Sequence, residues 1–360
     1  MAARKIALIG CGRIGALLEE DPLRTKPCTH WGGARAAGLA VTHACDIDPA
    51  RLARFGEIAR LSPSGLYASF RELLDEHRPP LVIVAAWTQA HAEIVMHAAR
   101  SGARVIVCEK PLCGDLGLAR KMLRTCERRG VRLIVNHERR YDSRYRAVKR
   151  LIEKGAIGQP RTVHASILTG PRRGAAAAGE GGGVLLHDGT HMVDMIRFLF
   201  GEIASVEGEF RRDRRHKGFE DRALARLCTK DGVEVFLEAG GSRRYFQFEL
   251  DISGTDGRII IGNGYQELRR AGESRLYAGF RDLLPSPFPS FRRVSAFTEV
   301  YREARRILND PRTPVSSSGL DGYRALEAVH AVYLSSARGR KRVELPVNPA
   351  IISIPEIFKL

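Results

Sequence analysis

The sequence predicts an α/β fold built from two different kinds of sheet. Over the first ~150 residues short apolar runs alternate with helical patterns, which indicates a doubly wound parallel sheet. A glycine-rich turn follows the first apolar run. Beyond it, amphipathic runs separated by short turns predict an α+β domain with a large, mostly antiparallel open sheet.

Apolar runs rich in Val, Ile and Ala predict five parallel strands in the first part: 4–9, 39–45, 81–86, 104–108 and 131–135. Helical spacing predicts the helices 49–60, 69–77, 89–101 and 115–129. Residues 19–32 lengthen the first crossover, and their two prolines predict an ordered loop rather than a helix. This loop should project from the carboxyl edge of the sheet, either to help select substrate or as a decorative insertion.

The second part contains six strand-like runs: 161–169, 203–211, 222–229, 233–240, 245–253 and 257–261. Residues 171–183 read as a lid or a linker, and 262–300 as irregular. Two helices, 295–309 and 319–336, precede a short closing strand at Val343–Pro346. We therefore expect a nucleotide-binding domain over 1–135, a substrate-binding and oligomerisation domain over 136–340, and a terminal strand and tail over 341–360.

Composition describes a cytoplasmic protein with an unusual charge. No apolar run approaches the ~20 residues of a membrane span. The 7 cysteines lack zinc-binding spacing, so we expect reduced thiols and no metal. The net charge of +17 is spread along the chain and fits either solvated arginine faces or attraction of an anionic ligand. A nucleic-acid partner is not favoured, because no basic stripe interleaves with aromatic residues.

The turn Gly10-Cys11-Gly12-Arg13-Ile14-Gly15 follows a strand and precedes a helical segment. This is the context in which GxGxxG holds a dinucleotide: the first glycine permits the turn, the second lets the pyrophosphate approach, and the third allows close helix packing. The motif predicts a Rossmann domain whose helix amino terminus faces the phosphates.

Asp46 ends the second strand and is placed to bind the adenosine ribose, which favours NAD over NADP. It lies further from the glycines than usual, and the 19–32 segment accounts for the excess. Arg51 is close enough in sequence to meet a 2′-phosphate instead.

Two further motifs carry chemistry. Glu109-Lys110-Pro111 follows a buried strand, at the sheet edge where ligands of α/β folds bind. His187, Asp188 and His191 lie at the start of a helix, where offsets of three and four bring side chains together as a base and its orienter. The alternative is that Asp188 caps the helix and His191 is an interior histidine.

The chain resembles the glucose–fructose oxidoreductase / inositol dehydrogenase / MocA family. The matching stretches are GCGRIG, AAWTQAH at 85–91, CEKPL, NHERRYDSRY at 136–145, GGGVLLHDGTHMVDMIRFLFG at 181–201 and LDGYRALEAVHAVYLSSARGRKRVELP.

The resemblance implies a catalytic lysine at Lys110 and a catalytic histidine at His191. It implies cofactor contacts for Ala86, Trp87, Thr88, His91, Glu109 and also Lys110, and substrate contacts for Asn136, Arg140, Tyr141 and Tyr145. Members commonly carry an aspartate four residues before the histidine, where this chain has His187, and Asp188 lies three before. Either Asp188 takes that role or His187 contacts the substrate.

The expected function is NAD(P)-dependent hydride transfer between the nicotinamide and a carbinol carbon of a sugar, polyol or derivative. His191 or Lys110 would move the hydroxyl proton. A sugar phosphate or nucleotide sugar would suit the basic charge, and the resemblance implies a homodimer or homotetramer formed through the C-terminal sheet. The alternatives are an NAD-sensing binding protein on the same scaffold and an NAD-dependent glycosidase.

Overall fold

The computed structural model describes residues 5–170, 182–212 and 219–348. The chain forms two compact units, Met1–Asp142 with Arg293–Tyr323, and Ser143–Arg292 with Arg324–Leu360. These bounds differ from the sequence-based divisions after residues 135 and 340, because a late segment returns to the first unit. Of the expected lid or linker over 171–183, residues 171–181 lie outside the described residues.

The first unit contains a six-stranded parallel sheet flanked by helices. Its strands are β1 (Ile6–Ile9), β2 (His43–Cys45), β3 (Leu66–Tyr67), β4 (Leu81–Val84), β5 (Val105–Cys108) and β6 (Arg132–Val135). Its order is β3-β2-β1-β4-β5-β6, the doubly wound topology that the sequence predicts. The helices that alternate with these strands are α1 (His30–Ala36), α2 (Pro49–Ala59), α3 (Phe70–His77), α4 (Thr88–Arg100) and α5 (Leu116–Arg128).

Local signals explain where these elements start and stop. The strands β1, β4 and β5 are buried at every residue, as expected when helices cover both faces. The Asp48 carboxylate caps α2 at the amides of Ala50 and Arg51. Gly102 and Gly130, which follow α4 and α5, adopt positive φ, so glycine suits both chain reversals.

The first crossover corrects the prediction of a loop over 19–32. A 3-10 turn (Leu17–Glu20) follows the glycine turn, but α1 already begins at His30. The amides of His30 and Trp31 donate to the carbonyls of Ile14 and Gly15 at 3.0 and 2.9 Å. The helix expected directly after the glycine turn is therefore interrupted by residues 16–29, which we call the excursion, and resumes at His30.

A threonine cap explains why α1 starts there. The Thr29 hydroxyl accepts from the Gly32 amide, and Glu19 accepts from the amides of Cys28 and Thr29. The capping residue was present in the sequence, but the neighbouring prolines dominated the prediction.

The second unit contains a nine-stranded sheet. Its strands are β7 (Pro160–Leu168), β8 (Ile203–Arg211), β9 (Arg222–Thr229), β10 (Glu234–Gly240), β11 (Gln247–Gly254), β12 (Gly257–Ile261), β13 (Gln266–Glu273), β14 (Arg281–Ser286) and β15 (Val343–Glu344). The order is β14-β13-β12-β11-β7-β10-β9-β8-β15, antiparallel except for the β7–β10 pair. This unit also contains α6 (Ser143–Glu153) and α7 (Thr190–Phe200), and the mostly antiparallel sheet is the predicted fold class.

Strands β13 and β14 correct the prediction that 262–300 is irregular. They form an antiparallel hairpin at one end of the sheet. Pro285, which argued against a strand, lies in β14. This strand is at the edge of the sheet and has a partner strand on one side only, which is where proline is tolerated.

The late helix α8 (Ala296–Asn309) belongs to the core of the first unit. Its residues Val300, Tyr301, Ala304 and Ile307 join one apolar cluster with the central strands. It packs against α1 and β5. A last helix, α9 (Gly319–Ala337), begins in the first unit and continues into the second.

Among the residues with described positions, no helix combines the length and apolarity required to cross a bilayer. The same part of the chain holds no cluster of three or more His, Cys, Asp or Glu side chains suited to a metal ion.

Replacing Ile307 with alanine tests the return of the late segment. Ile307 is 1% exposed within the first unit's core, so Ile307→Ala should lower the free energy of unfolding by roughly 2–5 kcal/mol. Urea denaturation measures it. Arg306→Ala, on the exposed face of α8, is the control and should change stability by less than about 0.5 kcal/mol. Equal stabilities for the two variants would contradict this core assignment.

Candidate active site

The glycine turn at the carboxyl end of β1 is shaped by close backbone approach. Gly10 has φ +96, and a Cβ there would lie 2.5 Å from the Ala85 carbonyl carbon. A Cβ on Gly15 would lie 2.1 Å from the Gly10 oxygen. These two glycines are therefore required by the protein's own packing, whatever binds.

Gly12 differs, and it provides the test of whether a dinucleotide fits. Its Cβ would meet no described atom nearer than Arg51 Nη1, at 3.9 Å. The fold does not need glycine here, so the bare backbone leaves room for a ligand. The neighbouring Arg13 is exposed and Ile14 is half-buried. An open glycine between two packed ones is the arrangement that admits a pyrophosphate.

Asp46 lies next to this turn, at the carboxyl end of β2. It is 8% exposed, and its two carboxylate oxygens accept from the amides of Cys11 and Asp48 at 2.7 and 2.9 Å. The carboxylate is thereby fixed beside the glycine turn. Arg51, the candidate for a 2′-phosphate, places Nε 3.2 Å from Asp48 in an exposed ion pair.

The turn after β4 is tied to the Glu-Lys-Pro turn after β5 by a buried histidine. His91 places Nε2 3.0 Å from the Ala86 carbonyl and Nδ1 3.0 Å from the Pro111 carbonyl. Burial lowers the pKa of His91, and the two carbonyl contacts partly oppose this. Trp87 is exposed and Thr88 is buried. The predicted cofactor residues of this turn all come directly after β4, at the carboxyl edge of the sheet.

Glu109 is the centre of a buried hydrogen-bond network formed by His30, Glu109, Asn136 and Tyr301, which we call the Glu109 network. Glu109 Oε1 is 2.8 Å from His30 Nε2 and accepts from Asn136 Nδ2 at 2.6 Å. His30 Nδ1 is 2.6 Å from the Tyr301 hydroxyl. All four side chains are nearly inaccessible to solvent.

Glu109 is ionised in this network. Burial raises its pKa, but the hydrogen bonds from His30 and Asn136 and the attraction to His30 and Lys110 lower it to about 2. An ionised carboxylate only accepts, so we assign the Nε2 proton of His30 as the donor. Burial, followed by the charge of Glu109, raises the pKa of Tyr301 well above its ordinary value.

The predicted substrate residues are themselves buried. Asn136 Nδ2 donates to Glu109, while its Oδ1 has no hydrogen-bond partner among the described residues. Arg140 is 6% exposed, and its Nη1 lies 3.1 Å from both the Ser316 carbonyl and Asp321 Oδ1. The Tyr141 hydroxyl donates to Glu303 at 2.7 Å. Tyr145, in the second unit, is buried edge-on against Phe248.

In the second unit His187, Asp188 and His191 span a π-helical turn (Leu185–Gly189) and the first turn of α7. His187 is buried, and Asp188 and His191 are half-buried. A helix starts after Gly189 as predicted, but the wider turn before it was not anticipated. The α-helical offsets used in the prediction therefore do not apply unchanged, and such turns are frequent at functional sites.

Glu220 holds the first residue of this π-helical turn. Its Oε1 accepts from the Leu185 amide at 2.9 Å and from the Tyr333 hydroxyl at 2.6 Å. Burial raises the pKa of Glu220 to about 7, although the bonds from Tyr333 and Leu185 oppose the rise. Its Oε2 has no hydrogen-bond partner among the described residues.

Sequence reasoning missed His30, Tyr301 and Glu220 as parts of these two sites. His30 and Glu220 lie in or near loops, and Tyr301 comes far along the chain. A Thr29 cap could have indicated a helix start at His30, but the segment was predicted as a loop. No local pattern indicated a role for Tyr301 or Glu220.

These features define a NAD-binding oxidoreductase of two parts, and comparison with known proteins agrees. Residues 4–137 match the model for the oxidoreductase family with an NAD-binding Rossmann fold, and residues 145–260 match the GFO/IDH/MocA C-terminal domain. The chain belongs to the GFO/IDH/MocA family.

Named relatives are dehydrogenases. A D-apiose dehydrogenase from Rhizobium rhizogenes is 27% identical over 351 residues, covering 94% of this chain and 97% of that protein. An inositol 2-dehydrogenase from Ralstonia nicotianae is 30% identical over 263 residues, covering 70% and 72%. The sequence-based predictions of the family and of NAD as its cofactor are confirmed.

Solved structures share the fold. The WlbA dehydrogenase from Bordetella pertussis, crystallised with NADH and UDP-GlcNAcA, superposes with a TM-score of 0.77 at 21% identity, covering 96% of this chain and 99% of that one. A levoglucosan dehydrogenase in complex with NADH and L-sorbose gives 0.78 at 20% identity, covering 97% and 100%. The predicted fold class is thereby confirmed.

Alanine at two glycines should separate folding from cofactor binding. Gly12→Ala should fold with nearly native stability, because its Cβ finds space, but should weaken NADH binding by about tenfold or more where the pyrophosphate approaches. Gly15→Ala should instead unfold at lower denaturant, because its Cβ meets the Gly10 oxygen. Calorimetric NADH titration and urea unfolding measure both effects. Native NADH affinity in Gly12→Ala would contradict the assignment of Gly12 as the point where the pyrophosphate approaches the backbone.

Glu220 should make stability depend on pH. Well below the ordinary pKa of glutamate both folded and unfolded chains hold the proton. As pH rises the unfolded chain ionises first, so stability falls until the folded group titrates at about 7. Glu220→Gln should remove a loss of roughly 3 kcal/mol between about pH 4 and about pH 8.

Urea unfolding at several pH values measures that slope. Glu273→Gln, on the exposed face of β13, is the control and should keep the wild-type slope. A Glu220→Gln variant with the same pH dependence as wild type would show that Glu220 does not titrate in this range.

Proposed function

We propose that this protein is an NAD-dependent dehydrogenase that acts on a CH–OH group of a sugar, polyol or sugar derivative. The observation that carries the proposal is the position of Lys110. It is half-buried at the carboxyl edge of the parallel sheet, where its turn is joined through His91 to the turn after β4. The glycine turn lies at the same edge, with free space at Gly12.

The chemistry divides between cofactor and protein. Bound NAD would supply the hydride acceptor for the carbinol carbon. The Lys110 ammonium would stabilise negative charge developing on the substrate oxygen, an effect worth ~3–4 kcal/mol for one well-placed donor. His191 would take the hydroxyl proton, because a histidine titrates near neutral pH.

We separate the proposed roles of His187 and Asp188 by their exposure. Asp188 shares the half-buried position of His191, whereas His187 is buried. We assign Asp188 as the carboxylate that orients His191, and His187 as support for the π-helical turn. NAD rather than NADP is favoured because the Asp46 carboxylate is fixed beside the glycine turn.

The substrate class rests on the named relatives and on charge. Relatives are named for D-apiose and inositol, and one structural neighbour holds a nucleotide sugar acid. A net charge of +17 would attract an anionic derivative. Arg140, whose Nη1 lies 3.1 Å from the Ser316 carbonyl and from Asp321 Oδ1, is the proposed contact for an anionic substituent. A panel should therefore combine neutral sugars and polyols with sugar phosphates and nucleotide sugars.

Assembly and location complete the proposal. The second unit exposes large apolar side chains that suit a homodimer or homotetramer: Phe236, Tyr245, Phe246, Tyr265, Leu276, Tyr277 and Phe280. All seven cysteines are free thiols, as expected for a reducing cytoplasm.

Lys110→Ala is the direct test. It should bind NADH with near-native affinity but turn over the substrate found in the panel at least about a hundredfold more slowly. Calorimetric titration and NADH absorbance measure the two properties. Lys121→Ala, an exposed lysine on α5, is the matched control and should be fully active. Unchanged turnover in Lys110→Ala would sink the assignment.

The same assay separates the alternatives. A glycosidase that uses NAD transiently would consume its sugar without net NADH production. A sensor would bind NAD but would neither consume the sugar nor produce NADH. Either result would count against a dehydrogenase.

A further inference from the structure

The Glu109 network joins four elements that are far apart in the sequence. His30 begins α1, Glu109 follows β5, Asn136 follows β6 and Tyr301 lies in α8. Each link is between 2.6 and 2.8 Å, and the four side chains are nearly inaccessible to solvent. The network therefore forms a single rigid connection within the first unit.

The two carboxylate oxygens of Glu109 have different partners. One is bonded within the Glu109 network, and the other is bonded to the backbone of Lys110. Glu109 Oε2 accepts from the Lys110 backbone amide at 3.2 Å, while Oε1 receives His30 and Asn136. The next residue, Pro111, has its carbonyl 3.0 Å from His91. The backbone on both sides of the Lys110 side chain is thus fixed by buried groups.

Stability alone is a poor explanation for this arrangement. A buried carboxylate loses its hydration, and apolar replacements of buried ionic groups are often as stable or more so. The Glu109 network instead fixes one geometry, because the ionised carboxylate accepts from several directions at once. What it fixes is the turn that carries Lys110.

We propose that His30 and Tyr301 are positioning residues for Lys110, acting through Glu109. Tyr301 orients the His30 ring, His30 holds the Glu109 carboxylate, and that carboxylate holds the Lys110 amide. The excursion ends in the Thr29 cap, which starts α1 at His30, and the His30 ring then reaches Glu109. This inference rests on the proposed role of Lys110 in catalysis.

Removing one hydroxyl tests the proposal. Tyr301→Phe keeps the ring and loses only the bond to His30, and should lower kcat by about tenfold to a hundredfold, the scale expected for a small displacement of a catalytic group. KM and the Kd for NADH should each change by less than about threefold, because ground-state binding is untouched. A loss of stability without a fall in kcat would overturn the proposal.

A chemically matched control is available in the same unit. The Tyr67 hydroxyl lies 2.5 Å from His77 Nε2, a tyrosine–histidine pair that has no bond to Glu109. Tyr67→Phe should keep native kcat. Equal kcat values for Tyr67→Phe and Tyr301→Phe would count against any role for Tyr301 in positioning.

A second readout needs no substrate. Competitive acetylation of whole protein, followed by mass spectrometry, reports the reactivity of each lysine amine. Reactivity at Lys110 should change at least about threefold in His30→Leu and stay native in Tyr67→Phe. If wild-type protein turns over no substrate, the proposed function fails, whereas this readout still decides the positioning role. Unchanged Lys110 reactivity in His30→Leu overturns it.

Discussion

The ionised carboxylate of Glu109 is the constraint on which the nucleotide-binding unit depends. A buried charge is tolerated only when donors surround it. Here the donors are His30 of α1, Asn136 just after β6 and the Lys110 amide, and Tyr301 of α8 contacts the far side of His30. These partners span residues 30 to 301, so one side chain ties the start of the sheet to a late helix. The excursion is compatible with this arrangement because α1 resumes the interrupted helix with His30 in place.

The second unit applies similar chemistry with the opposite electrostatic outcome. Glu220 is also a buried carboxylate and holds the start of the π-helical turn, but its pKa is about 7 instead of about 2. The difference follows from the donors. Glu109 is near His30 and Lys110, whereas the bonds to Glu220 come from a neutral hydroxyl and a backbone amide. One turn is therefore held by a permanent charge and the other by a group that titrates near neutrality.

Much of the fold was predictable, because buried parallel strands are continuous apolar runs and most strands of the second unit alternate between buried and more exposed residues. The two-residue β3 carried too little pattern, and Pro285 hid an edge strand. In the site, Gly10, Asp46 and Lys110 were predictable because each follows a strand. His30 and Tyr301 were not, since their pairing depends on a contact between residues 271 positions apart. The π-helical turn was missed because it has no sequence period of its own.

In the proposed reaction this chain moves a hydride from a carbinol carbon of a sugar or polyol to NAD with the help of Lys110. The most direct measurement uses the substrate found in the panel, deuterated at that carbon, with mass spectrometry of the recovered cofactor. Direct hydride transfer predicts one deuterium in the NADH formed per product molecule, and formation of labelled NADH at least about a hundredfold more slowly in Lys110→Ala. Label that stays in the sugar, is lost to water, or reaches NADH equally well without Lys110 would contradict it.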